Sequence, residues 1–142
     1  MNEVWQMDVL IVPFFGRLKY VHHTIDTYSH FQWASALSSE KADAVITHLL
    51  ACFAIMGIPL QIKTDNAPAY QSLKLHKFFQ KYHIQHIFGI PYNSQGQAII
   101  ERANRTLCEY LTKLKKGDVS REMVETYLKV ALPQWNFKWL WK

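Results

Sequence analysis

The sequence has little cysteine and no apolar run long enough to span a membrane. Its 142 residues include two cysteines, Cys52 and Cys108, far apart in stretches with helical spacing. We therefore expect reduced thiols of an intracellular protein and not a disulfide framework. The longest apolar run, LLACFAIMGIPL, has 12 residues, fewer than the roughly 18 to 20 that a membrane span requires. The first residues also lack the basic cluster of a secretory signal, so we expect no membrane partner.

The shortage of cysteine also argues against a structural zinc site. Seven histidines are present, but no cysteine pair accompanies them at zinc-finger spacing, and His83 with His86 is too small a cluster to predict a site. Acidic residues are fewer than basic ones, 11 against 16, which gives a net charge of +5. A basic chain is compatible with a polyanionic partner such as nucleic acid.

Hydrophobic residues make up 49% of the sequence, which is enough to fill the core of one domain. Strand periodicity in VWQMDVLIV predicts a first strand over 4–12, with Asp8 on one face and Trp5 and Met7 on the other. A turn at 13–16 separates it from a hairpin, whose own loop at 26–29 suits Asx-type turning. The remaining predicted strands cover residues 18–26, 30–37, 60–64 and 84–88.

Helical spacing predicts four helices. The first covers about Glu40 to Met56, behind the candidate caps Ser38 and Ser39, and ends at Gly57. The others are a short helix containing Leu75, Phe78, Phe79 and Tyr82, a long one from about Ser94 to Lys115 with a stripe of Ile100, Ala103, Leu107, Leu111 and Leu114, and a last one over 120–132. This order predicts an α/β fold in which helices pack against a mixed sheet.

Three acidic residues stand out against this frame. Asp8 lies within an apolar strand, where an unpartnered carboxylate is costly; Asp65 lies at a strand end, and Glu101 lies near the start of the longest helix. Each has an ordinary alternative: an acid on a solvated edge strand, an Asx turn or helix cap, and a surface glutamate of a first turn. Together they form a set that could converge. Converging carboxylates repel one another unless cations lie between them, and hard oxygen ligands select Mg²⁺ or Mn²⁺.

The spacing and the surrounding motifs resemble one family. Between Asp65 and Glu101 lie 101 − 65 − 1 = 35 residues. With Asp8 in WQMD, and with IDTYSHF, IKTDNAPAY and GIPYNSQGQAIIERANRTL around them, the chain closely resembles the DDE-type catalytic core of betaretroviral and related endogenous-retrovirus integrases over about residues 4–132.

The resemblance implies a fold, a chemistry and a domain organisation. The fold would be ribonuclease H-like, a five-stranded mixed sheet flanked by helices, with the core domain at 1–132 and a divergent or truncated tail at 133–142. Asp8, Asp65 and Glu101 would be the catalytic and metal-binding residues, holding two Mg²⁺ or Mn²⁺ ions. The reactions would be processing of a viral DNA 3′ end and transfer of that end into target DNA. We expect neither the family's N-terminal zinc domain nor its C-terminal β-barrel domain in this chain.

The family also implies DNA contacts and multimers. The positions that match DNA-contacting residues are Asn66, Tyr92, Gln95, Gln97, Asn104 and Arg105. Ordinary alternatives remain open: an exposed loop for Tyr92 and its neighbours, and a surface salt bridge for Arg105. We expect viral and target DNA as partners and a homodimer or higher multimer, in the virion and host nucleus for a viral chain, or in the nucleus or cytoplasm for a host-encoded remnant.

Three positions depart from the family pattern. Leu10 and Ile11 replace a Thr-His pair after the first aspartate, and Cys108 stands where many relatives carry lysine. An alternative is therefore a catalytically impaired endogenous-retrovirus remnant that only binds DNA or dimerises. A hydrolase of RNA–DNA hybrids is a further alternative, since the same chemistry would serve it.

Overall fold

The computed structural model describes residues 2–89 and 97–115 of the chain. Within this part, one mixed sheet contains five strands: β1 (Val4–Ile11), β2 (Tyr20–Asp26), β3 (Gln32–Leu37), β4 (Gln61–Thr64) and β5 (Gln85–Phe88). Their order across the sheet is β3-β2-β1-β4-β5. The β1–β2 and β2–β3 pairs are antiparallel, and the β1–β4 and β4–β5 pairs are parallel. The predicted α/β class and mixed sheet are confirmed.

Helices cover both faces of the sheet, because strand alternation sends apolar side chains to each side. The described helices are α1 (Ala42–Met56), α2 (Leu73–Lys81) and α3 (Ala98–Lys115), with short 3₁₀ helices at Pro13–Leu18 and Pro68–Gln71. Trp5 and Met7 of β1 pack with α1 and α2 in the larger apolar cluster. On the other face, Val21 of β2 packs with Leu107 and Leu111 of α3. The even-numbered positions of β1, Asp8 among them, therefore face α3.

The ends of α1 show one correct and one wrong sequence prediction. Gly57 ends the helix as predicted, with φ of 92° and its N–H donating to the Phe53 carbonyl. The start at Glu40 is wrong, because α1 begins at Ala42 after Lys41 and no side-chain cap is present. The Ser39 hydroxyl instead accepts from the Lys41 N–H at 3.0 Å, which satisfies a donor before the helix begins.

The start of α3 also differs from the sequence prediction. Gln97 lies in a turn and the helix begins at Ala98, four positions after the predicted start at Ser94, which itself lies outside the described residues. The reason is tertiary: the side-chain oxygen of Gln6 on β1 accepts from the Ile100 N–H at 2.9 Å. A helix N-terminus leaves such donors unpaired, and this one is satisfied by a strand distant in sequence.

The loops agree partly with the sequence prediction. Asp26 accepts from the N–H and the hydroxyl of Ser29, at 3.1 and 2.5 Å, so its side chain closes the predicted loop, one residue further along than in an Asx turn. The predicted turn at 13–16 is instead part of the 3₁₀ helix Pro13–Leu18. The predicted helix at 120–132 and the tail at 133–142 lie outside the described residues. None of the described helices combines the length and apolar composition needed to cross a bilayer.

Candidate active site

Asp8 lies on β1, the central strand of the sheet, so the edge-strand alternative is wrong. Its carboxylate is half-buried and held at both oxygens: the Val9 N–H donates to Oδ1 at 2.9 Å, and the Asn104 side-chain amide donates to Oδ2 at 3.3 Å. The pKa of Asp8 is raised to about 6, chiefly by burial; the charges of Asp65 and Glu101 contribute to the rise, and the Val9 hydrogen bond opposes it. The Asp8 side chain is therefore held in one position by hydrogen bonds, and its carboxylate is repelled by two other acidic side chains.

Asp65 directly follows β4 and is exposed. Its Oδ1 accepts from the Ala67 N–H at 2.9 Å, so the Asx-turn alternative is correct as a description of the local backbone. That turn orients the carboxylate without covering it. Asp65 therefore remains available to a ligand.

Glu101 lies in the first turn of α3 and is exposed. The helix start that carries it is fixed by the Gln6 contact to Ile100 and by the Glu101 N–H, which donates to the Gln97 carbonyl at 3.0 Å. Its carboxylate belongs to the N-terminal turn of α3, where the positive end of the helix dipole favours a negative charge. Glu101 therefore has a fixed backbone and a free side chain.

The three acids interact through their charges but do not form a ready-made ion cage. Asp65 and Glu101 both act on the pKa of Asp8, which places all three in one electrostatic environment. Among residues 2–89 and 97–115, however, no group of three histidine, cysteine, aspartate or glutamate side chains is arranged to hold a metal ion. Oxygen donors are present, and ion binding would require the exposed side chains to turn inward.

A cavity of about 570 Å³ adjoins the acids and is lined by Asp8, Glu40, Asp65 and Tyr70. The Tyr70 hydroxyl is buried and has no hydrogen-bond partner among the described residues. Burial raises the pKa of Tyr70, and the charges of Asp8, Asp65 and Glu40 raise it further. The cavity therefore presents acidic oxygens and one unpaired donor to a bound group.

The residues predicted to contact DNA divide into four groups. Asn66 and Arg105 are exposed, Gln97 is half-buried, and Asn104 is buried at 9% exposure. The Gln97 amide lies 3.5 Å from the carbonyls of Met7 and Lys63. Tyr92 and Gln95 lie outside the described residues.

Asn104, which the resemblance predicts as a DNA contact, instead faces the interior of the fold. Its side-chain oxygen lies 2.8 Å from Nδ1 of His23, while its nitrogen contacts Asp8. Sequence reasoning missed His23, a fully buried residue of β2. The signal was available in the consecutive histidines of YVHHTID, two polar residues in an apolar strand.

The structure describes all three residues that depart from the family pattern, Leu10, Ile11 and Cys108. Leu10 packs beside the cluster that contains Val12 and Val21, and Ile11 is exposed at the end of β1. Cys108 is an exposed, free thiol on α3, and Cys52 is buried and free, as predicted. The replacements therefore leave the position of Asp8 on β1 intact.

Comparison with known sequences gives one consistent family. The Integrase core domain model matches residues 1–94. The Gag-Pro-Pol polyprotein of mouse mammary tumor virus (strain BR6) is 54% identical over 114 residues, which are 80% of this chain and 6% of the polyprotein. The chain thus spans a small part of the polyproteins it matches.

Solved structures agree with the sequence matches. The HTLV-2 integrase catalytic core domain in complex with magnesium, in its dimeric form, is 28% identical, with a TM-score of 0.76 over 92% of this chain and 83% of that chain. A chain of the simian T-cell lymphotropic virus intasome in complex with PP2A regulatory subunit B56 gamma is 29% identical, with a TM-score of 0.79 over 92% of this chain and 47% of that chain. The ribonuclease H-like fold predicted from the resemblance is confirmed.

Proposed function

Because the chain belongs to the family of integrase core domains, we propose that it is the polynucleotidyl transferase core of a retroviral-type integrase. Its substrates would be viral DNA ends and target DNA, and its reactions would be 3′-end processing and strand transfer. The observation that carries the proposal is the convergence of charge on Asp8, whose pKa is raised by burial and by the charges of Asp65 and Glu101. A divalent cation bound between these carboxylates would relieve their mutual repulsion.

Asp8, Asp65 and Glu101 would hold the cations, two Mg²⁺ or Mn²⁺ ions. Their donors are carboxylate oxygens, which suit hard divalent ions, and the magnesium complex of the HTLV-2 core supports the same choice. When bound, such ions supply Lewis-acid stabilisation of charge at phosphorus. Asp65 and Glu101 are exposed, so their side chains can change rotamer towards Asp8 without disturbing the core.

The chain's own residues would position the carboxylates and the DNA. Val9 and Asn104 each occupy one lone pair of Asp8, which leaves the remaining lone pairs for cations. The exposed Arg105 would neutralise a backbone phosphate, and Asn66 would contact DNA beside Asp65. Tyr92, Gln95 and Gln97 would contact the viral end. No protein nucleophile is needed, because water and then a DNA 3′ hydroxyl would attack the phosphate.

A DNA assay with matched variants tests the proposal. The chain, alone and joined to the domains that complete integrases carry, would be given preassembled viral-end DNA with Mg²⁺ or Mn²⁺. We expect cutting and joining that EDTA abolishes and that Asp65→Asn reduces by on the order of 100- to 1,000-fold. DNA binding that is independent of metal, unchanged by Asp65→Asn and without any cutting would contradict catalysis and favour the binding remnant. Cleavage of RNA–DNA hybrid in preference to duplex DNA would favour a hybrid-specific hydrolase.

Self-association is the second part of the proposal. Helix α1 has two exposed aliphatic side chains, Leu50 and Ile55, at 46% and 43% exposure, and exposed apolar side chains suit a partner surface. The HTLV-2 core has a dimeric form. We propose that this chain forms a homodimer whose interface includes α1. Light scattering coupled to size exclusion should give twice the monomer mass, and a monomer at all concentrations would contradict it.

A further inference from the structure

A chain of buried polar side chains leads from β2 to the Asp8 carboxylate. His23 lies directly opposite Asp8 in the β1–β2 register and is fully buried. Its Nδ1 lies 2.8 Å from Oδ1 of Asn104, and its Nε2 lies 2.7 Å from Oε1 of Gln32. The Asn104 nitrogen continues the chain to Asp8 Oδ2 at 3.3 Å. The carboxylate is thus linked to the interior of the sheet through two side chains.

The direction of each hydrogen bond follows from the carboxylate. An ionised aspartate only accepts, so the nitrogen of the Asn104 amide must face Asp8 and its oxygen must face His23. That oxygen accepts, so Nδ1 of His23 must carry a proton. Both charge states of the ring meet this condition, provided that the neutral ring is the Nδ1–H tautomer.

The contact with Gln32 fits the neutral ring once the amide is oriented correctly. Burial lowers the pKa of His23, while its hydrogen bonds to Asn104 and Gln32 raise it. A neutral Nδ1–H ring has an acceptor at Nε2, which needs a donor from Gln32. The oxygen and nitrogen of a glutamine amide exchange places by a half-turn that leaves the atom positions unchanged. In that orientation each donor in the chain points towards Asp8.

We propose that His23 is a positioning residue that fixes the Asn104 amide and, through it, the orientation of the Asp8 carboxylate for cation binding. The inference rests on the proposed function, because it concerns the same carboxylate. Without the Nδ1–H donor, the Asn104 amide loses one of its two anchors, the contact that holds its oxygen. Outer contacts of this kind typically change metal affinity by roughly 10- to 100-fold.

Three variants of the full chain test the proposal through Mn²⁺ affinity, measured by the electron paramagnetic resonance signal of free Mn²⁺. His23→Leu removes the donor while filling the buried space, and we expect affinity to fall roughly 10- to 100-fold. His23→Asn places an amide N–H near the position of Nδ1, and we expect it to restore affinity to within about threefold of wild type. His22→Leu is the matched control: His22 is equally buried on the same strand, but its Nε2 contacts the Ser39 carbonyl, so affinity should be unchanged.

A double-mutant cycle separates positioning from general damage to the fold. In an Asn104→Ala background, His23→Leu should change Mn²⁺ affinity by less than about twofold, because the link to Asp8 is already absent. Equal losses in both backgrounds would overturn the proposal, as would a loss in His23→Asn as large as in His23→Leu. Thermal unfolding of each variant identifies any that do not fold.

A readout without metal keeps this inference distinct from the proposed function. The ¹⁵N spectrum of the His23 ring should show a protonated Nδ1, whereas an Nε2–H tautomer would overturn the positioning chain. Wild-type protein that binds no Mn²⁺ would contradict the proposed function, and the spectrum would then decide the hydrogen-bond chain by itself. Wild-type binding that His23→Leu leaves unchanged would overturn the inference and leave the proposed function standing.

Discussion

Asp8 combines two properties that conflict in the metal-free protein: it is half-buried, and two other carboxylates act on it. Its pKa rises from 3.8 to about 6. Because the folded pKa lies above the unfolded one, the folded state binds the proton more tightly. The stabilisation of the folded state by protonated Asp8 is present below about pH 4 and is lost as the pH rises through 6.

Asp8→Asn should remove this pH-dependent cost. In EDTA above pH 7, we expect the variant to unfold at higher urea concentration than wild type, by up to about 3 kcal/mol in unfolding free energy. At pH 4 the two proteins should differ little. Urea titrations across this range test the expectation, and a variant less stable than wild type at pH 8 would contradict it.

Asp65 and Glu101 have exposed side chains, so their loss should affect chemistry and not folding. Asp65→Asn or Glu101→Gln should reduce DNA cutting by on the order of 100- to 1,000-fold, because ligand loss forfeits several kcal/mol of charge stabilisation. Unfolding in EDTA should be unchanged or slightly shifted towards greater stability. Glu109→Gln is a control on the same helix, also exposed. Wild-type turnover in Glu101→Gln would remove that residue from the site.

At the scale of elements, the site depends on how β1 holds the start of α3. Gln6 and Asp8 are two positions apart on one face of β1, and they contact Ile100 and Asn104 on α3. The strand therefore fixes where α3 begins relative to the sheet, and with it the position from which the Glu101 side chain extends. The link joins two elements that carry candidate site residues and are far apart in sequence.

Gln6→Leu should loosen this link. Loss of the acceptor for a buried N–H typically costs about 1 to 3 kcal/mol, so we expect a drop of that order in unfolding free energy, together with weaker Mn²⁺ binding. Gln85→Leu replaces an exposed strand glutamine and should change neither. Equal Mn²⁺ affinity in wild type and Gln6→Leu would show that the helix start does not depend on Gln6.

The sequence predicted elements better than their boundaries. Alternation in VWQMDVLIV correctly separated the face of Asp8 from that of Trp5 and Met7, because period-two patterning is local. The start of α3 was placed too early because its capping group is Gln6, which no local pattern reveals. The inward position of Asn104 was missed for the same reason, since its partners His23 and Asp8 come from other elements.

At the scale of the whole molecule, three fully buried histidines make stability sensitive to acid. His22, His23 and His48 lie on both sides of β2. Burial lowers the pKa of each, and for His48 the charges of the other two lower it further. Their contribution to stability is therefore present above about pH 6.5 and declines as the pH falls, because the unfolded chain takes up protons that the folded chain does not.

Acid unfolding should show this uptake. In an Asp8→Asn background, which removes the opposing effect of the aspartate, unfolding free energy should fall between pH 7 and 5 by up to about 1.4 kcal/mol per pH unit for each histidine. His48→Leu should flatten the curve, whereas His83→Gln, at an exposed position, should leave it unchanged. A pH-independent free energy over this range would contradict the expectation.

The central claim is that Asp8, Asp65 and Glu101 bind divalent cations together. A crystal structure of the chain with Mn²⁺, with anomalous differences collected at the manganese edge, tests it most directly. The account predicts anomalous peaks in contact with Asp8 and Asp65, and the Glu101 side chain turned towards them. Saturating Mn²⁺ with no peak at these carboxylates, or with the three side chains still apart, would contradict it.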